Sequence, residues 1–509
     1  MQPARQRLVW CAVGLVVGLV LWLAPGEVVP AGAAQTELAR LLGQFGIFAV
    51  AVWLLLMVAG RPIEARVRHI ADALDLMAET KFIGCLLGGA LALRLGLALL
   101  FPDHLTSDAY WYHARAVDLL EGRGYVRPGP VVDGLRTFIP TAFWPVGYSA
   151  FLAGIYSVFG ASWRMGIAVN ALLSSLSVWV LYRIGVALYG RRVARFAAVL
   201  ACLCPVLWPR MLLAESLFTL LLLCALWVVL TRRVTAVTTV GAGLLMAAAV
   251  YVKVNALPFM AVLALVWWVR TGGFVRALGH TVLCCLTITA GCAPWTLRNL
   301  QQLNAFVPMT TSGGVALLMG AFDDADGREP LAYSGPIWTR VLQTRLEEFD
   351  EVGSDRLAHQ AGRTWIAQHP IRWAALSLAK LSWMSLAQPW QPPFELLGRE
   401  GRALPAVEVV FKVACRVTGW LVLIGLCGYV ARCARLGKRL WREGSRLGWV
   451  PLAAWLGFVL QAVVFVGYGR LRLPVEGLLI LAGAYAWLAA SQRKWWPGAA
   501  VSRWMNEGS

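Results

Sequence analysis

Charged residues make up only 14% of this 509-residue chain, and acids are the rarer sign, with 27 Asp and Glu against 46 Lys and Arg. A soluble fold of that length needs far more polar surface, so a water-soluble globular protein is excluded. No RNA- or DNA-binding module stands between the basic residues, which removes nucleic acid as the reason for a formal charge of +19. Polar sequence also lacks cysteine. All 11 Cys, including Cys202, Cys204, Cys284, Cys285 and Cys292, lie in or beside apolar runs. No disulfide framework or thiolate zinc site is indicated, and these residues read as small packing groups in helices. The two halves show no internal symmetry and no charges at the middle of the apolar runs, which counts against a repeat-built transporter or flippase.

Apolar sequence is what the chain has in quantity: 59% of residues are hydrophobic and 25 are Trp. It comes in blocks of roughly 17–25 residues, the length that crosses about 30 Å of hydrocarbon. The chain therefore reads as an all-α, polytopic membrane protein in contact with the lipid bilayer. Leu8–Ala24, preceded by Arg5 and Arg7, reads as an uncleaved span, or as a signal peptide cut near Ala31-Gly32-Ala33. A span over 42–60 follows. Residues 62–80 then space Ile63, Val67, Ile70, Leu74 and Met77 by three and four, as in an amphipathic helix lying at the cytoplasmic interface or packed as a connector.

Further spans fall at 82–101, 163–189, 193–209, 211–230, 236–252, 256–269 and 279–297. Arg191, Arg192, Arg232, Arg233, Arg270 and Arg276 cluster at one set of ends, which marks the cytoplasmic side and puts the loop 102–162 outside. Residues 298–370 form a second external segment, whose acidic runs 323–326 and 347–351 read as water-exposed. Residues 371–389 read as an external interfacial helix, because a crossing there would send Arg432, Arg435, Lys438, Arg439, Arg442 and Arg446 outside. Spans at 405–430, 448–468 and 473–490 bring the count to about twelve, or thirteen if 371–389 crosses, with Arg493 and Lys494 inside. The divisions are an N-terminal extension 1–81, a membrane core 82–297, the external segment 298–370 and a C-terminal membrane part 371–509.

Polar residues at membrane edges are the functional candidates. Asp108 lies in an aromatic-rich loop with Tyr110, Trp111, Tyr112, His113, Trp144 and Tyr148. An acid beside aromatic faces at the membrane edge suits proton chemistry on a lipid-borne polar substrate, the other reading being a solvated loop acid. His104, Asp108 and His113 match no dedicated metal-ligand spacing, so no metal is assigned. Glu215 opens a span, as a functional acid or a partner of Arg210, and Lys253 sits in a short external hairpin, facing an anion or snorkelling. Arg470 and Arg472 stand outside against the charge bias, either on an anionic ligand or paired with Glu476.

In this order the segments resemble the membrane-embedded GT-C glycosyltransferases, in the protein O-mannosyltransferase-like branch that includes bacterial aminoarabinose transferases. The resemblance is carried by Asp108 through Tyr125, Pro145 through Leu152 ending at Phe159-Gly160, Ala214-Glu215-Ser216-Leu217 and Pro294 through Asn299. Phe306-Val307-Pro308 leading to Ser312-Gly313-Gly314, and Arg470-Leu471-Arg472-Leu473-Pro474, complete it over residues 82–490. It implies a sugar passed from a polyprenyl-phosphate carrier to an extracytoplasmic acceptor, which is a protein, a lipid or a glycan, at a bacterial inner membrane. It also implies Asp108 and Glu215 at the reaction centre, Lys253, Arg470 and Arg472 on the phosphate, and Tyr110, Tyr112, His113, Trp144 and Tyr148 around sugar and acceptor. Asp108-Ala109 stands where many relatives carry paired acids, so a divalent metal is left open and unsupported. A ligase moving a preassembled glycan is the rival on the same scaffold.

Overall fold

The computed structural model describes residues 34–490 apart from 101–104, 106, 210, 329–332, 334, 387–412, 431–444 and 468. Leu8–Ala24, Asp103, His104, Arg210, Arg432, Arg435, Lys438, Arg439, Arg442, Arg493 and Lys494 lie outside the described residues. Seven described helices are long and apolar enough to cross a membrane: Glu79–Leu99, Trp163–Tyr189, Val254–Thr271, Phe274–Leu303, Val413–Val430, Leu447–Val464 and Gly469–Leu488. Shorter apolar helices cover Leu42–Leu54, Gly147–Phe159, Glu215–Thr231 and Ala236–Val252. The chain is thus an all-α, polytopic membrane fold.

In chain order the helices are α1 (Ala34–Leu76), α2 (Glu79–Leu100), α3 (Ser107–Leu120), α4 (Gly147–Phe159), α5 (Trp163–Tyr189) and α6 (Arg191–Leu203). Then follow α7 (Glu215–Thr231), α8 (Ala236–Val252), α9 (Met260–Thr271), α10 (Phe274–Leu303), α11 (Gly313–Met319) and α12 (Pro336–Leu346). The series closes with α13 (Glu351–Gln368), α14 (Pro370–Leu386), α15 (Val413–Val430), α16 (Val450–Val464) and α17 (Leu473–Ala490). Polar side chains mark several ends: Ser162 accepts from the Met165 N–H before α5, and Thr235 with Thr238 forms a capping box before α8. Gly272 closes α9 in the left-handed conformation that glycine adopts without a Cβ clash.

The centre of the bundle is a row, α5 against α7, α7 against α8 and α8 against α10, with α17 packed on α6 and α16. Arg270 donates to the Val229 and Arg232 carbonyls at 2.6 Å, so the ends of α7 and α9 meet where Arg232 and Arg233 lie. Glu215 at the start of α7 meets Lys253 at the close of α8, which puts these two at the opposite end.

Several expectations change in detail. The span at 42–60 and the helix at 62–80 are largely one helix, the 43-residue α1. Its far end, with α2, is clamped to α6 by Arg191 on Asp75 (2.8 Å), Arg192 on Asp72 (2.7 Å) and Arg195 on Glu79 (2.8 Å). The expected span 193–209 is a broken helix: α6 stops before Pro205, and the chain returns along α5 to Glu215 through a 3-10 turn. Irregular backbone survives there because protein groups satisfy it. Ser174 Oγ donates to the Leu207 carbonyl at 3.0 Å, Asn170 Nδ2 to that of Leu213 at 3.0 Å, and Trp208 Nε1 to that of Cys202 at 2.9 Å. The interior is not free of charge either. Arg94, wholly buried in α2, donates to Ser174 Oγ at 3.0 Å and to the Ala90 carbonyl at 3.3 Å. Helix α14 is described for 17 residues, Pro370–Leu386, and residues 387–389 of the expected interfacial helix lie outside the described residues.

Residues 102–162 are more ordered than a loop. Asp108 sits in the first turn of α3, and an antiparallel hairpin follows, β1 (Val126–Val132) with β2 (Leu135–Pro140), in register Val126↔Pro140 and Val132↔Leu135. Asp133 and Gly134 both take positive φ in its two-residue turn, the geometry that matches strand twist.

The acidic runs are not uniformly solvated. Glu351 is buried and accepts from Thr141 Oγ1 (2.6 Å), the Ala142 N–H (2.8 Å) and Thr311 Oγ1 (2.6 Å), with Arg127 Nε at 3.4 Å. Asp323 accepts from Trp365 Nε1 at 2.8 Å, and Asp326 binds Arg328 at 2.8 Å. Arg298 ties the hairpin's base down from α10, donating to the carbonyls of Thr141 (2.8 Å) and Tyr125 (2.7 Å).

Candidate functional site

Four of the expected residues come from four separate elements and meet as one ion-paired group. Asp108 lies in the first turn of α3 and Glu215 in the first turn of α7. Lys253 caps the end of α8, and Arg470 stands in the 3-10 turn Gly469–Arg472 that leads into α17. Helix dipoles favour Asp108 and Glu215 where helices begin and Lys253 where one ends; Arg470, at the start of α17, is placed against that preference and depends on the two acids it binds. Arg470 Nη2 donates to Asp108 Oδ2 at 2.6 Å, and its Nε donates to Glu215 Oε1. Lys253 Nζ reaches the same Glu215 oxygen at 2.6 Å.

Burial sharpens the electrostatics. Glu215 is 8% exposed, and its second oxygen, Oε2, is buried without a hydrogen-bond partner among the described contacts. Burial pushes the Lys253 ammonium below its ordinary pKa, and Glu215 opposes that shift. Burial, and then Asp108 and Glu215, holds the Tyr112 phenol well above the usual tyrosine value, so it stays neutral and faces the group as a dipole. Ser107, just before Asp108, is held at φ 47°, a strained backbone for a residue with a side chain.

Arg472 goes elsewhere. It is 3% exposed, pairs with Glu476 at 2.5 Å and donates to the Met384 carbonyl at 3.1 Å and to that of Ser385. Sequence put Arg472 and Lys253 together; in the structure the i,i+4 acid and two carbonyls hold the Arg472 fork, and Arg470 shares Glu215 with Lys253.

The aromatic residues divide in the same way. Tyr148 is wholly buried, receives Asn170 Nδ2 at 2.8 Å and meets Tyr112 edge-on, ring centroids 4.9 Å apart. Trp144 lies on the other side of Tyr112 at 5.6 Å. These rings form the wall behind Asp108. Gly147 brings the wall against the Lys253 hairpin, because a Cβ there would meet the Tyr251 carbonyl oxygen at 2.5 Å. His113 is half-buried with Nδ1 3.0 Å from the Tyr156 hydroxyl, and burial lowers its pKa, which favours the neutral ring. Tyr110, two residues after the acid on α3, is 61% exposed.

Glu215 and Arg470 also border a cleft of about 90 Å³, lined by Ser174, Val178, Leu207, Met211, Leu223 and Leu473. The break between α6 and α7 creates it, since Val206 to Leu213 supply one side. Among the described residues no three His, Cys, Asp or Glu side chains gather as a metal set. Glu351, Arg298 and Asn170 were not singled out by sequence reasoning; the one available signal was the Arg298-Asn299 pair inside a resemblance motif.

Fold and site together define a polytopic α-helical membrane protein with an ion-paired polar group, two members of which, Glu215 and Arg470, line a largely apolar cleft. No family model matches this chain, and no curated protein does. Solved structures are similar to it. The oligosaccharyltransferase of Archaeoglobus fulgidus tethered with an acceptor peptide is 12% identical at a TM-score of 0.45, over 85% of this chain and 54% of that one. AglB from the same organism, in complex with an inhibitory peptide and a dolichol-phosphate, is 12% identical at 0.43, over 82% and 53%. ArnT from Cupriavidus metallidurans bound to undecaprenyl phosphate is 14% identical at 0.37, over 81% and 78%. This chain spans about half the length of the archaeal proteins.

Proposed function

We propose that this protein is a GT-C-type glycosyltransferase that moves a sugar from a polyprenyl-phosphate donor to an acceptor hydroxyl on the extracytoplasmic side of a bacterial inner membrane. The observation that carries this reading is the convergence of Asp108, Glu215, Lys253 and Arg470 in one ion-paired group, of which Glu215 and Arg470 line an apolar cleft. An apolar cleft lined by Arg470, with Lys253 bound to the Glu215 that also lines it, suits a ligand that has a hydrocarbon tail and an anionic head. Three of the motif segments that carry the resemblance, those holding Asp108, Glu215 and Arg470, supply this one place from far apart in sequence.

In the reaction the acceptor oxygen attacks the anomeric carbon while its proton passes to Asp108. The bond from that carbon to the phosphate oxygen breaks, and its electron pair leaves on the polyprenyl phosphate, inverting the centre. Arg470 and Lys253 stabilise the developing phosphate charge, the contribution that usually dominates such catalysis. Glu215 holds both cations in place, and Tyr110 offers a face for the sugar. Arg472 is left out of the phosphate role and supports the turn that carries Arg470.

The test is transfer of radiolabel from a polyprenyl-phosphate sugar to an acceptor fraction by the purified protein in lipid vesicles. Label reaching an acceptor supports the enzyme. Label that only changes leaflet indicates a flippase, and label that moves only from a preassembled glycan carrier indicates a ligase.

A further inference from the structure

Lys380 is a fully buried lysine in α14 with no acid among its partners in the described residues. Its Nζ donates instead to the carbonyls of Val463 (3.3 Å) and Val464 (3.4 Å), the last residues of α16, and lies 5.9 Å from the centre of the Trp373 ring. A cation at a helix C-terminus is favoured by the dipole and supplies donors for carbonyls that have no partner within the helix.

The surroundings are shaped around it. A Cβ on Gly320 would come within 2.8 Å of this ammonium, and one on Gly467 would collide with the Lys380 backbone. The Gly467 N–H donates to the Gly327 carbonyl at 2.8 Å. One turn further along α14, the carbonyls of Met384 and Ser385 accept from Arg472. The stretch between Val464 and Arg472 is therefore held to α14 at both ends, and Arg470 lies within it.

We propose that Lys380 is a positioning residue for Arg470: its ammonium on the end of α16 fixes one side of the turn that presents Arg470 to Asp108 and Glu215, as Arg472 fixes the other. Only the ligand readout below rests on the phosphate reading of the site.

The proposal makes the turn sensitive to alkaline pH. Burial alone pushes the Lys380 ammonium down to about 8, with no charged group of α1, α13, α16 or the 465–472 turn contributing. The charges on the packed segments have partners of their own: Asp326 binds Arg328, Arg472 binds Glu476, and Asp323 takes Trp365 while its carbonyl takes Arg372. As pH rises through about 8 the ammonium becomes an amine and the clamp loses its charge-assisted character. Global stability moves the other way. A lysine whose native pKa lies below its unfolded value leaves the unfolded chain binding more protons in that window, so the folded state gains as pH rises. In the loosened turn Lys380 stays buried but loses its carbonyl acceptors, which lowers its pKa further, so by the same linkage local loosening is favoured as pH rises while global unfolding is not.

The experiment is amide hydrogen exchange over residues 463–472 in the full-length protein at about pH 7 and about pH 9, corrected for intrinsic exchange, with farnesyl phosphate affinity measured alongside. In the wild type, protection and affinity should each fall by about fivefold or more between the two conditions, the scale of losing one charge-assisted contact. Lys380→Arg, charged at both, should hold its protection and affinity. Lys380→Met should be equally low at both, with its melting temperature recorded as the check on folding. Wild-type protection that does not change with pH, or a fall of the same size in Lys380→Arg, overturns the proposal and points to another group such as Lys253. If exchange behaves as expected while farnesyl phosphate binds no variant, the clamp stands and the phosphate reading of the site fails.

Discussion

Asp108, Glu215, Lys253 and Arg470 carry two negative and two positive charges, so an incoming phosphate must compete with the acids for the cations. Asp108→Asn removes one competitor from Arg470 along with the proposed base. Turnover should drop by about a hundredfold or more, as loss of a general base does, while farnesyl phosphate affinity stays the same or rises. Normal turnover in that variant would take Asp108 out of the mechanism. Arg470→Ala removes the partner of both acids, and affinity should weaken by roughly ten- to a hundredfold by isothermal titration. Asp108 and Glu215 were legible one by one because acids at membrane edges are costly and rare. Their meeting through Arg470, and the binding of Arg472 to Glu476, were not, because positions two apart in a tight turn point in different directions.

The hairpin and the acidic stretch show how elements hold the site. Glu351 joins the base of β2, the start of α13 and Thr311, and the strand end it fixes leads through Phe143 to Trp144 behind Tyr112. Glu351→Ala leaves three donors and Arg127 without their acceptor in a buried setting. It should cost about 3–5 kcal/mol, seen as a lower unfolding temperature. Glu347→Ala, in the exposed part of the same run, should change the melting temperature little; equal effects of the two would mean that Glu351 is no anchor. Five acids and aromatics in a row look solvated in sequence, and only the packing of the hairpin against α13 selects one for burial. The broken helix at Cys204-Pro205 was half legible: the proline says where a helix stops, but the side chains that satisfy the freed carbonyls come from α5.

For the molecule as a whole, the charge bias orients the bundle, with Arg232, Arg233 and Arg270 at the end opposite Glu215 and Lys253. Cysteines introduced at Asp324 and at Arg233, with Cys85, Cys285 and Cys427 changed to serine, test it with an impermeant thiol reagent. The first should label from outside intact cells and the second only after the membrane is opened; the reverse would put Asp108 in the cytoplasm.

Sequence alone determined the class of fold, most of the apolar helices and the acids worth watching. Apolar length and charge bias are local properties that the bilayer reads one segment at a time. Tertiary structure decided which cation pairs with Asp108 and Glu215, which acid in a run is buried, and which carbonyls Lys380 and Arg472 bind. Those outcomes depend on contacts between residues tens to hundreds of positions apart, where the desolvation of a charge is offset only by the partner that packing brings to it.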